Sequence, residues 1–78
     1  PSGARYIVQV GAFADGAVAQ SARLKLERAG LKTYTHEAQT PEGKRIRVRL
    51  GPFATRAEAE KAAAKAKAAG TAAAILTL

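Results

Sequence analysis

Val8-Gln9-Val10-Gly11-Ala12-Phe13-Ala14 returns forty positions later as Val48-Arg49-Leu50-Gly51-Pro52-Phe53-Ala54. The same offset, without a gap, aligns further residues on both sides of this stretch: Arg5 with Arg45, Ala22 with Ala62, Lys25 with Lys65, and Ala29-Gly30 with Ala69-Gly70. Self-similarity at a fixed period of this size indicates a repeated supersecondary unit. Because only two copies fit into 78 residues, the sequence predicts one domain with pseudo-twofold symmetry rather than a solenoid.

The composition limits what such a small domain can contain. No cysteine is present, and a single histidine, His36, cannot build a structural zinc site, which needs about four ligands. We therefore expect neither a metal nor a cofactor. The longest uncharged apolar run, residues 72–78, is far shorter than the roughly 18 residues of a membrane span, so we expect membrane contact only through the rest of a parent protein. Residues 1–4 are typical of a linker remnant, which makes residues 5–78 the predicted domain, and we expect a monomer.

The net charge of +7 is large for a chain of this length. A strongly basic surface indicates a partner or substrate with negative charge. Nucleic acid, anionic lipid and an acidic polysaccharide all meet that condition, and the charge alone does not choose among them.

Each copy of the repeat begins as a strand and continues as a helix. Residues 5–10 alternate, with Tyr6, Val8 and Val10 on one side and Ile7 and Gln9 on the other. We expect residues 11–14 to leave the strand and the first helix to run from about residue 15 to residue 29, with a glycine after it as the stop signal.

A hairpin is predicted between the two copies. Residues 31–38 form its first strand, with Tyr34 and His36 on the same side, and residues 40–43 carry a turn signal. Residues 44–50 show the clearest alternation in the chain. The apolar residues point to one side of the strand, and Arg45, Arg47 and Arg49 point to the other. This is expected for a strand with one solvent-exposed face.

The second helix begins at a capping box, in which Thr55 and Glu58 satisfy each other's backbone amides. A short last strand follows within residues 72–78, with Ile75 expected on the outer side. The resulting order is β-α-β-β-α-β, an α+β fold of the ferredoxin-like or RNP-like type. It has a four-stranded antiparallel sheet with both helices on one face.

These motifs together resemble a known family. Tyr6-x-Val8-Gln9-Val10-Gly11-x-Phe13, the later Arg47-Val48-x-Leu50-Gly51-Pro52-Phe53, and two alanine-rich helices that end at Gly30 and Gly70 look like a SPOR domain (sporulation-related repeat). The resemblance implies a non-catalytic bacterial module in the periplasm or cell envelope. It also implies binding to peptidoglycan glycan strands, in particular strands stripped of their stem peptides, with enrichment at the division septum.

In that family the glycan lies on the open face of the sheet. Positions carried over from the resemblance are Gln9, Arg47 and Ile75, while Ala12 stands where many members have serine and Arg45 stands near where some have an aromatic residue. The residues themselves add Arg49, whose forked donors suit a carboxylate, and Tyr34, whose ring could pack on a sugar. The predicted ligand-binding set is Gln9, Ala12, Tyr34, Arg45, Arg47, Arg49 and Ile75.

Other functions stay open at this point. The arginines of residues 44–50 could be an ordinary solvated strand face. An RNA or single-stranded nucleic-acid module has the same topology, but such modules stack bases on aromatic residues of the two central strands, where this chain has Ile7, Gln9, Arg47 and Arg49. An enzyme is not indicated, because no serine has a neighbouring histidine and no nucleophilic cysteine exists.

Overall fold

Each half of the chain contributes two strands and one helix to the computed structural model, which describes residues 4–78. The elements are β1 (Tyr6–Phe13), α1 (Gly16–Arg28), β2 (Thr33–Thr40), β3 (Gly43–Phe53), α2 (Arg56–Ala68) and β4 (Ala74–Thr77). The predicted order β-α-β-β-α-β is confirmed. Of the proposed linker remnant, residues 1–3 lie outside the described part of the chain.

Side-chain caps begin both helices. Asp15 Oδ1 accepts a hydrogen bond from the backbone N–H of Ala17 at 2.8 Å, which satisfies one of the orphan amides of α1. Thr55 and Glu58 form the predicted capping box at the start of α2. The repeated sequence therefore starts its helix at the same place in each half.

The four strands form one antiparallel sheet in the order β2-β3-β1-β4. The two copies of the repeated stretch, β1 and β3, are the central pair, as the predicted fold requires. The hairpin between β2 and β3 closes with Thr40 opposite Gly43, and the Thr40 hydroxyl donates to the carbonyl oxygen of Gly43 at 2.7 Å.

The core lies between one face of the sheet and the two helices. Val8, Val10, Val48 and Leu50 supply the sheet side of this core. Opposite them, α1 contributes Leu26 and one alanine, whereas α2 contributes alanines alone: Ala59, Ala62, Ala63 and Ala66. Small side chains let α2 lie close to the sheet, and the large aliphatic residues of the strands supply most of the buried apolar area.

Both central strands run further than the sequence predicted. We expected residues 11–14 to leave the first strand, but β1 continues to Phe13 through a shift in register between Gln9 and Gly11. The Phe13 ring lies against the backbone of Gly11, where an added Cβ would overlap Cζ of the ring and lie 2.7 Å from Cε2. Gly51 also lies against the ring of Phe53, where an added Cβ would be 3.1 Å from Cδ2, and its φ of 114° is one that glycine adopts most readily. The Gly-x-Phe motif therefore marks an irregularity within each strand rather than its end.

The register of β4 differs from the expectation. Val8 pairs with Ile75, and since directly paired residues share a face, Ile75 points toward the helices and packs against the core. The prediction that Ile75 faces outward is therefore wrong. In an apolar tail with no polar alternation, a slip of one residue exchanges the two faces, and the sequence offered no signal against it. Leu76, paired with Ile7, takes the outer position.

Candidate functional site

The face of the sheet opposite the helices, called the open face below, is defined by strand register. Residues that pair with Arg45, Arg47 or Arg49 point away from the core residues Val48 and Leu50, which lie between them on β3. Within the described part of the chain, the open face includes the following residues: Ile7, Gln9, Ala12, Tyr34, His36, Ala38, Arg45, Arg47, Arg49, Ala74 and Leu76.

One row of side chains crosses the whole open face. Tyr34 pairs with Arg49, Arg49 with Gln9, and Gln9 with Ala74, so the row passes over all four strands and spans roughly 14 Å at about 4.8 Å per strand. Arg49 Nε–H donates to Gln9 Oε1 at 3.1 Å. This bond fixes both side chains. It leaves the Nη groups of Arg49 and the amide N–H groups of Gln9 as donors toward a ligand, because no other bond involves them among residues 4–78.

A second row lies on Arg47, roughly 7 Å along the strand. Arg47 pairs with His36 on one side and with Ala12 on the other. Within residues 4–78 the guanidinium of Arg47 forms no hydrogen bond or ion pair, so all of its N–H donors are free. Ala12 reaches this row because the register shift at Gly11 turns it onto the open face.

Arg45 lies one row further, opposite Ala38. Its Nη1 donates to the carbonyl oxygen of Lys44 at 3.0 Å, so part of its fork is already used by the strand itself. Arg45 therefore extends the positive field of the open face but presents fewer free donors than Arg47.

None of the six acidic residues, all of which lie in the described part of the chain, is on the open face. Four are ion-paired or act as helix caps, Glu37 points to the other side of β2 and binds Lys44 at 3.3 Å, and Glu42 is in the hairpin turn. The arginines of β3 are therefore uncompensated. Neighbouring arginines of this strand are roughly 7 Å apart, below the Debye length of about 8 Å, so their positive fields add on the open face.

The remaining corner of the open face is apolar. Ile7 on β1 pairs with Leu76 on β4. Ile7 is only 5% exposed, whereas Leu76 on the edge strand is 36% exposed. The predicted set placed Ile75 in this part of the open face, but in the structure Leu76 is the residue of β4 that offers apolar surface there.

Six predicted binding residues share the open face: Gln9, Ala12, Tyr34, Arg45, Arg47 and Arg49. Ile75 does not join them. Among the open-face residues outside the predicted set are His36 and Leu76. The alternation of β2 did place His36 beside Tyr34, and its position opposite Arg47 needed only the hairpin register. Nothing in the sequence singled out Leu76.

Two negative findings concern the described residues alone. Between residues 4 and 78 there is no cluster of three or more histidine, cysteine or carboxylate side chains that could hold a metal ion. Neither helix of that region has the length and apolar character needed to cross a membrane.

Comparison with known proteins gives a family match and several structural neighbours. Residues 2–77 match the family model described as the SPOR domain. The fold is similar to that of the RlpA SPOR domain from Pseudomonas aeruginosa, with a TM-score of 0.82 and 23% sequence identity over 91% of this chain and 96% of that chain. The chain is also similar to the peptidoglycan binding domain of the B. subtilis cell wall lytic enzyme CwlC, with a TM-score of 0.80 and 31% identity over 100% of this chain and 94% of that chain.

A third solved structure, an exported protein of Burkholderia pseudomallei K96243, is 28% identical with a TM-score of 0.72. The similarity covers 99% of this chain but only 16% of that one. None of the curated proteins matches this chain.

Proposed function

This chain belongs to the SPOR domain family, and from that premise we propose that it is a non-catalytic module that binds bacterial peptidoglycan through its open face. The ligand is a glycan strand from which the stem peptides have been removed. The name of the CwlC domain, a peptidoglycan binding domain that resembles this chain over its whole length, supports the general role. The more specific assignment rests on the chemistry of the open face.

The observation that carries the proposal is the row formed by Arg49 and Gln9, beside the free guanidinium of Arg47. In intact peptidoglycan the lactyl carboxyl of muramic acid is joined to the stem peptide as an amide. Removal of the peptide leaves a carboxylate. Arginine pairs with carboxylate through parallel, charge-assisted hydrogen bonds, so the Nη groups of Arg49 and the fork of Arg47 favour the stripped strand over the intact one.

Neutral groups of the glycan find partners on the same face. The amide of Gln9 has N–H donors free for an N-acetyl carbonyl or a hydroxyl group, because its oxygen already accepts from Arg49. Tyr34 and Leu76 lie toward opposite edges of the sheet, and each offers partly exposed apolar surface to a sugar ring. A ligand that runs across the strands would meet carboxylate, amide and apolar contacts in turn.

Several wider expectations follow from this proposal. The module, residues 5–78, would act as a monomer in the periplasm or cell envelope of a bacterium, and stripped strands would concentrate it at the division septum. Any enzymatic activity would belong to other parts of a parent protein. RNA binding is less well supported, because Tyr34, the aromatic residue of the open face, lies on edge strand β2 and not on a central strand.

The first test is retention on purified peptidoglycan sacculi. One batch is left intact and one is treated with an amidase that removes stem peptides. We expect strong retention on the treated batch and weak retention on the intact batch at physiological salt. Equal retention on both, abolished by added salt, would contradict the proposal and would show that the net charge alone causes binding.

Charge reversal tests whether the open face is responsible. The double variant Arg47→Glu/Arg49→Glu should lose retention while keeping its fold, because both side chains lie outside the core. The control variant Lys61→Glu/Lys65→Glu changes the net charge by the same amount on the exposed side of α2 and should keep retention. Equal loss in both variants would refute the assignment to the open face.

A further inference from the structure

A groove of about 430 Å³ lies on the other side of the molecule, between α1 and the segment that connects α2 to β4. The residues that shape it are Val10, Val18, Ala22, Lys25, Thr71 and Ala72. Val18 is 49% exposed and contributes apolar surface to the groove. The groove meets the proposed glycan site only at Ala12, which lines it from the edge of β1.

The internal repeat supplies a comparison for this groove. Its counterpart, forty positions away, lies between α2 and the segment that connects α1 to β2. The two connecting segments have the same backbone geometry. The N–H of Leu31 donates to Leu26 O at 3.0 Å, and the N–H of Thr71 donates to Ala66 O at 3.1 Å. Residues 31 and 71 therefore occupy equivalent places.

The side chains at these equivalent places differ. Leu31 packs against the core and divides the space in the second half into two recesses of about 380 and 340 Å³, both of which it lines. Thr71 is smaller, and its hydroxyl turns back to donate to Ala66 O at 3.0 Å. The groove in the first half therefore lacks the aliphatic side chain that its counterpart receives from the chain itself.

A strand edge runs along the same groove. β4 pairs with β1 only at Tyr6–Gln9, whereas β1 continues to Phe13 with β3 on its other side. Residues 10–13 all line the groove, and no strand in the described part of the chain covers that edge. An uncovered edge is a template for the addition of an extended segment.

The positive charge at the groove indicates the charge of a segment that would bind there. Lys25 lines the groove and has no hydrogen bond or ion pair within residues 4–78. No acidic residue lines the groove. An acidic segment is therefore favoured over a basic or neutral one.

We propose that this groove is a docking site for an extended acidic peptide segment of a partner protein. A leucine-sized side chain of the segment fills the place that Leu31 fills in the second half, and an adjacent carboxylate pairs with Lys25. The segment lies along the uncovered edge of β1 and continues the sheet beyond β4. The groove and the open face share Ala12, at the edge of β1, whereas Lys25 and Thr71 lie outside the proposed glycan site.

The probe for this site is an N-acetylated, C-amidated peptide, Thr-Glu-Leu-Glu-Thr, titrated into the ¹⁵N-labelled chain while backbone amide shifts are recorded. We expect the shifts to concentrate at residues 10–13, 18–25 and 70–72. A peptide with asparagine in place of leucine should bind about tenfold more weakly, because the buried aliphatic side chain is lost. Equal binding of the two peptides, shifts centred on residues 30–32 and 58–65, or no shifts at millimolar peptide would overturn the proposal.

Two substitutions sharpen the test. Thr71→Leu copies Leu31 into the groove and should weaken binding of the leucine peptide by about tenfold or more, while retention on amidase-treated sacculi stays unchanged. Lys25→Gln should weaken peptide binding, and its counterpart Lys65→Gln should not. Undiminished peptide binding in Thr71→Leu, or equal effects of the two lysine changes, would refute the site. The asparagine peptide needs no change in the protein, so the test holds even if a variant is unstable.

Discussion

Replacement of Arg49 by lysine would separate hydrogen-bond geometry from charge at the proposed glycan site. In the structure Arg49 uses Nε–H to hold Gln9 Oε1 at 3.1 Å, and this leaves both Nη groups to face a ligand carboxylate. Lysine keeps the positive charge but cannot bridge to Gln9 and bind a carboxylate with a parallel pair of donors at the same time. The variant therefore removes the paired N–H donors of the guanidinium, while the positive charge at this position stays the same.

The size of the effect follows from the bonds that are lost. A hydrogen bond to a charged group contributes about 1.5–3 kcal/mol, and lysine forfeits at least one such bond to the ligand. At about 1.4 kcal/mol per factor of ten, Arg49→Lys should weaken binding of a stripped glycan oligosaccharide roughly 10- to 150-fold. Arg45→Lys on the same strand should cost less than about threefold, because part of the Arg45 fork already binds Lys44 O and the exposed charge contributes little by itself.

Isothermal titration calorimetry with a stripped glycan oligosaccharide measures these affinities. A chitin oligosaccharide of equal length lacks the lactyl carboxylate, so it should bind weakly and should hardly distinguish Arg49→Lys from the original chain. Gln9→Ala should combine with Arg49→Lys less than additively, because the two residues form one unit. Binding of the stripped glycan by Arg49→Lys within twofold of the original chain would refute the fork mechanism.

Two further outcomes test the details of β1. Ala12→Ser adds a hydroxyl to the exposed open-face position opposite Arg47. In the same titration it should raise glycan affinity by roughly 2- to 10-fold, which is the effect of one net hydrogen bond. No change or a decrease in affinity would show that the ligand does not reach the row of Arg47. Gly11→Ala forces the Phe13 ring to move and should cost about 1–3 kcal/mol, which lowers Tm by roughly 5–20 °C. The control Gly16→Ala, whose Cβ would lie 3.8 Å from the nearest side-chain atom outside its helix, should leave Tm equal or slightly higher; equal losses in the two glycine variants would contradict the packing role of Gly11.

The fold was accessible from the sequence because its strongest signals are local and occur twice. The repeat placed β1 and β3 together in the middle of the sheet, and the capping signals at Asp15 and Thr55 located the helix starts. In β3 an arginine at every second position fixed which face was wet. Each of these signals depends on neighbours within a few residues, and that is the information that a single sequence carries well.

The site was only partly accessible, because it depends on register between strands. The pairing of Arg49 with Gln9 joins residues forty positions apart, and the exposure of Ala12 depends on a register shift inside β1. The face of Ile75 is set by its pairing with Val8, since the surrounding sequence is apolar on both sides of the strand. Alternation within one strand cannot supply such relations between strands.

A comparison of the two halves of the repeat shows which positions give the open face its charge. Core positions keep their character across the repeat, as Val8 and Val48 do. Equivalent positions on the open face do not, because Gln9 corresponds to Arg49 and Ile7 corresponds to Arg47. The same backbone therefore places a cationic strand beside a neutral one, and this asymmetry gives the face its separate cationic and apolar regions.

Isotope-filtered NOE measurements on the complex with a stripped glycan oligosaccharide would test most directly whether the open face holds the ligand. We expect contacts from glycan protons to the Leu76 methyl groups and the Tyr34 ring, and none to the methyl groups of Ile75, which lie on the core side. Contacts confined to exposed helix residues such as Val18 and Leu24, with none to Leu76 or Tyr34, would contradict binding at the open face.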